Sequence, residues 1–137
     1  MAVSPSGKIV FVTGQGSTSN TPGYATVAYN AVTGAQVWAK RYGAGGTSYA
    51  YATAVSPSGK TVYVTGGSDG DYATIGYNAA TGAQLWVKRY AGAGIPSLPG
   101  AALSMAVSRA TGDVFVTGYI VVSTRTINDY VTIAYRS

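Results

Sequence analysis

Asp69, Asp71, Asp113 and Asp129 are all the acids in this chain of 137 residues, and neither a histidine nor a cysteine accompanies them. Those absences remove thiol nucleophiles, imidazole bases, disulfide frameworks and zinc sites with sulfur or nitrogen ligands. A paired-carboxylate mechanism would have to be assembled from very few candidates, and no such pair is evident. The acids of Asp69-Gly70-Asp71 lack the glutamate and the further oxygen donors of a dedicated calcium loop, so the segment reads as a turn. Gly14-Gln15-Gly16 follows a strand pattern, but neither a helix nor a Lys-Ser/Thr pair completes a phosphate loop. The sequence therefore assigns no catalytic residue, no metal ligand and no cofactor, and the expectation is that the chain is not an enzyme.

The basic side deserves the same scrutiny, because a formal charge of +5 and a pI near 9.5 invite a nucleic-acid reading through counterion release. Position argues against it. Lys8 and Lys60 fall at equivalent places in one repeated turn, and Lys40-Arg41 and Lys88-Arg89 in one repeated strand. Charges placed that way are expected to protect a sheet edge. No apolar run approaches the ~20 residues of a membrane span, and the opening MAVSPSGKIV lacks the apolar stretch of a secretory signal.

The elements that must carry these residues are written as repeats. AVSPSGKIVFVTG begins at Ala2, AVSPSGKTVYVTG at Ala54 and AVSRATGDVFVTG at Ala106, 52 residues apart each time. A second signature follows in register: YATVAYN from Tyr24, YATIGYN from Tyr72 and YVTIAY from Tyr130. A third, TGAQVWAKRY from Thr33 and TGAQLWVKRY from Thr81, occurs only twice. With 19 glycines, 12 tyrosines and only 9% charged residues, this is the balance of short strands joined by tight turns. In the second unit, strands a to d are expected at Tyr49 to Val55, Thr61 to Thr65, Tyr72 to Tyr77 and Leu85 to Tyr90, with turns at Ser56-Pro57-Ser58-Gly59 and Asn78-Ala79-Ala80-Thr81-Gly82. Neither face of the third strand is charged, so both are expected to be covered, as radial stacking of like sheets provides.

The run YNAATGAQLW, a turn between two strands, resembles the tryptophan-docking repeat of the PQQ-like β-propellers. DYAT, YNAATGA, LWVKRY, AVSPSGK and VYVTG are also similar to the bacterial repeat proteins labelled SBBP or YVTN-type. The resemblance covers essentially the whole chain. Asn30 and Asn78 stand where the family commonly has Asp, and either residue can make the same side-chain hydrogen bond in the turn. The resemblance implies an all-β fold of four-stranded antiparallel blades, an extracytoplasmic setting, and a role for Trp38 and Trp86 in filling the gap between neighbouring blades. Tyr42 and Tyr90 are assigned to blade packing with them.

The chain thus reads as one domain, 1–137, with repeats 2–53, 54–105 and 106–137, the last lacking its outer strand. Three blades make an open arc with apolar faces at both ends, which calls for a partner. Either two copies join head to tail into a six-bladed ring, or the arc is part of a longer propeller. The connections b–c (15–23, 67–71, 119–129) and d–a (43–48, 91–101) vary in length on one rim, while the opposite turns do not. Recognition is expected on that rim, with Asp69, Asp71, Tyr119 and Asp129 as ligand candidates. The leading functional expectation is a non-enzymatic scaffold that associates with itself. The alternatives are a lectin-like or peptide-binding propeller and, more weakly, a fragment of a PQQ-dependent dehydrogenase.

Overall fold

The computed structural model describes residues 1–18, 21–43, 46–91, 100–123 and 127–136. Eleven strands are defined among them: β1 (Ala2–Val3), β2 (Ile9–Thr18), β3 (Thr21–Asn30), β4 (Gln36–Tyr42), β5 (Ser48–Val55), β6 (Thr61–Ser68), β7 (Asp71–Asn78), β8 (Gln84–Tyr90), β9 (Gly100–Val107), β10 (Val114–Ser123) and β11 (Ile127–Tyr135). They pair as three antiparallel sheets in simple sequential order, β1-β2-β3-β4, β5-β6-β7-β8 and β9-β10-β11. The all-β class and its partial propeller blades are therefore as the repeats indicate. Among the described residues no helix is long and apolar enough to cross a membrane.

Each turn is built by the residue that its conformation requires. The amide N–H of Gly59 donates to Ser56 O at 2.8 Å, and that of Gly7 to Ser4 O at 2.8 Å, both glycines at positive φ. In the c–d turns, Asn30 Oδ1 accepts from the backbone of Val32 and Thr33, and Asn78 Oδ1 from Ala80 and Thr81, at 2.9–3.0 Å. Asparagine thus makes the side-chain turn in both places. The threonines of the V-T-G and Y-x-T signatures meet across the ladder in every sheet: Thr13 with Thr26 at 3.1 Å, Thr65 with Thr74 at 2.8 Å and Thr117 with Thr132 at 3.0 Å.

The b–c connections differ from the sequence expectation. Most of 15–23, 67–71 and 119–129 is ladder, because strands b and c run on into extended hairpins. Gly16 pairs with Gly23, Ser17 with Pro22 and Thr18 with Thr21, whereas the second sheet ends its hairpin at Ser68 opposite Asp71. Extra residues divided between both arms add rungs that satisfy their own backbone groups, which a loop of the same length would leave to solvent. Of the d–a connections, residues 44–45 and 92–99 lie outside the described residues.

The apolar cores lie between sheets. Phe11, Tyr24, Ala28 and Trp38 of the first sheet pack on Val62, Val64, Ile75 and Tyr77 of the second. Tyr63 and Tyr72 of the second pack on Val114, Val116 and Ile120 of the third. The middle sheet is buried on both faces along β6 and β7, so both alternating sets of side chains are apolar or small. The ends of the first strands converge, with Val3 and Pro5, Ala54 and Val55, and Val107 and Arg109 lining one open cleft.

Candidate functional site

Trp38 fills the gap between the first two sheets. Its Nε1–H donates to Ala79 O at 2.9 Å, and its ring lies 6.1 Å from that of Tyr77. Gly82, in the Thr-Gly turn of the second sheet, lies against the indole so closely that a Cβ there would come within 2.7 Å of Trp38 Cδ2. The glycine is thus required twice, for its φ of 70° and for the ring beneath it. Trp86 occupies the corresponding gap between the second and third sheets, 5.8 Å from Tyr63 and 6.2 Å from Tyr135, and is half-buried. Tyr42 and Tyr90 stand edge-on to Tyr24 and Tyr72 at 5.5 and 5.8 Å, both at 65°. Those partners cross the gap in turn: Tyr24 Oη donates to Ala73 O at 3.1 Å and Tyr72 Oη to Val131 O at 3.5 Å.

The outward face of the third sheet exposes the residues that correspond to two of these. Phe115 corresponds to Phe11 and Tyr63 and is 42% exposed, against 0% and 4%. Tyr130 corresponds to Tyr24 and Tyr72 and is 80% exposed, where both equivalents are at 0%.

Among the ligand candidates, Asp69 and Tyr119 line one cleft on the rim of the b–c hairpins, together with Thr47, Tyr49, Tyr51 and Gly100. Asp71 is held by Arg89, whose Nη2 lies 2.8 Å from Asp71 Oδ2. Asp129 lies apart, in β11 opposite Ile120, accepting from the N–H of Tyr130 at 2.9 Å. Arg89 lies on the outer strand β8, as the sequence leads one to expect of an edge-protecting charge. It also reaches back over the hairpin to Ser68 O at 2.9 Å and lies 4.0 Å from Asp69 Oδ2. Arg41, 48 residues earlier, donates to Ser17 O at 2.7 Å in the same manner. The hydrogen bonds that Arg89 donates to Asp71 favour the charged guanidinium and raise its pKa.

Tyr49 and Tyr51 escaped the sequence reading because they look like ordinary strand residues. A β-bulge makes the difference: Ala50 pairs with Gly66 and Ala52 with Thr65, leaving Tyr51 without a rung. The third sheet repeats the device at Leu103, with Ala102 opposite Gly118 and Ser104 opposite Thr117. The bulge crowds the facing backbone. A Cβ on Gly66 would overlap Tyr49 O, and one on Gly118 would overlap Ala101 O. The only readable signal was the glycine of the recurring V-T-G.

Sequential antiparallel sheets of three or four strands, first strands converging and indoles docked between neighbours, define the fold as one of β-propeller blades of PQQ type. The family model described as outer membrane protein assembly factor BamB, one of PQQ repeats, matches residues 1–128, and the chain belongs to that family. Neither the curated proteins nor the solved structures contain a match.

Proposed function

We propose that the chain is a non-enzymatic propeller scaffold whose outward sheet faces each receive a further blade. The observation that carries this is Tyr130, 80% exposed in the position where Tyr24 and Tyr72 are fully covered by the following sheet. The opposite end is complementary. Val12 is 39% exposed where its equivalent Val64, facing the first sheet, is at 0%. The leading face of the third sheet and the trailing face of the first therefore repeat, without the indole of a fourth strand, the two halves of an interface that the chain already makes internally. For the chain by itself the donor is a second copy, joined head to tail; within a longer propeller it is the next blade. The absence of histidine, cysteine and glutamate supports a scaffold over a catalyst. The family's printed name is that of an outer membrane protein assembly factor, which supports a protein-binding role in an extracytoplasmic setting.

Tyr130→Asp and Phe115→Asp alter the outward face of the third sheet. Size-exclusion chromatography should show the wild-type chain at twice the 13.9 kDa of one copy and both variants at one copy, with unchanged circular dichroism. A variant that keeps the wild-type mass contradicts the reading. A second reading, that the rim of b–c hairpins binds a glycan or peptide, is favoured by the cleft that Asp69 shares with Tyr119.

A further inference from the structure

The rim cleft, about 360 Å³, falls within the ~300–1,000 Å³ of small-molecule sites and is built from two sheets. Tyr49 and Tyr51 come from β5, Asp69 from the β6–β7 hairpin and Tyr119 from β10. The bulge turns Tyr51 out of the ladder, leaving it 52% exposed, and its ring lies 6.5 Å from that of Tyr49 with 29° between the planes. Both rings line the cleft and offer it aromatic surface. Asp69 adopts a left-handed conformation, φ 53°, fixed by its N–H donating to Thr47 O at 3.0 Å. Behind it, Gly100 N–H donates to Gly70 O at 2.8 Å and ties the third sheet to the second, so the floor is a backbone contact.

We infer that this cleft binds a neutral oligosaccharide. A pyranose ring offers an apolar C–H face to stack on the tyrosines and hydroxyls to donate to the carboxylate, which is what the cleft presents. Charge disfavours a cation: Arg89 lies 4.0 Å from Asp69 Oδ2 and already holds Asp71, so a cationic ligand would have to enter beside a guanidinium. The inference rests on the reading that the rim binds a ligand. It is independent of self-association, because the named residues all belong to the second and third sheets.

The test is calorimetric titration of the wild-type chain with maltotriose, cellotriose and the neutral N,N′,N″-triacetylchitotriose, and separately with tetramethylammonium, each to about 10 mM, well above a 1 mM Kd. At least one trisaccharide should bind. Tyr51→Ala should weaken it about tenfold, or ~1.4 kcal/mol, while Leu103→Ala, at the equivalent bulge of the third sheet, leaves it within about twofold. Circular dichroism checks that both variants fold, and Tyr119→Phe, which removes only a hydroxyl, should weaken binding too. Binding of tetramethylammonium alone overturns the ligand class while preserving a rim site. Binding of neither, or equal losses in Tyr51→Ala and Leu103→Ala, overturns the site.

Discussion

The hydroxyl of Tyr24 donates to the carbonyl of Ala73, 49 residues further on and in the next sheet, and the phenol is completely buried there. Tyr72 repeats the contact towards Val131. Because the ring stays packed when only the hydroxyl is removed, Tyr24→Phe isolates the hydrogen bond and should destabilise the chain by about 1–2 kcal/mol in urea unfolding. Tyr130→Phe, on the exposed face, should change the stability of the isolated chain by less than ~0.5 kcal/mol.

The two tryptophans should differ in worth. Trp38 is buried, hydrogen-bonded and packed on both sides, so Trp38→Ala should cost about 3–5 kcal/mol. Trp86 is half-buried, and its replacement should cost measurably less in the same denaturant titration. Equal losses would mean that the two gaps are packed alike.

Much of this fold could be read directly. The 52-residue period and the Thr-Gly turns indicated the strands because each reflects a local requirement, a turn angle or an alternation. The b–c hairpins could not be read, since Gln15 to Gly23 is rich in glycine and serine and looks like loop, and only the cross-strand pairing of 15–18 with 21–24 makes those residues ladder. Tyr51 stayed hidden for a related reason. Its orientation follows from a bulge permitted by Gly66, fifteen residues away in the chain but opposite in the sheet. Arg89 was legible as a charge on an outer strand but not as a clamp, because Ser68 and Asp71 approach it only once the hairpin folds back.

The bulge supplies a sharp contrast among equivalent glycines. Gly66→Ala and Gly118→Ala place a methyl group onto Tyr49 O and Ala101 O and should destabilise by about 1–3 kcal/mol. At Gly14, the first V-T-G, a Cβ meets nothing within 4 Å, so Gly14→Ala should leave the thermal midpoint unchanged or raise it slightly.

Alkaline pH should open the structure. Burial is the first cause raising Tyr72 and Tyr77, both pushed up to about 12 from 10.0, and it moves Tyr24 further up. Between these values the folded chain holds protons that the unfolded chain has released. The stabilisation is therefore complete below pH 10 and is lost as the pH rises through about 12. Tyrosinate absorbance should show a late step coincident with loss of the sheet circular dichroism. A single smooth titration near pH 10 with the sheet signal intact would contradict the burial of these rings.

The most direct test of blade-on-blade closure is the wild-type mass by sedimentation equilibrium over a range of concentrations. A reversible species of twice 13.9 kDa that dissociates on dilution is expected. A single species of 13.9 kDa at every concentration, with Tyr130 still open to solvent, would contradict it.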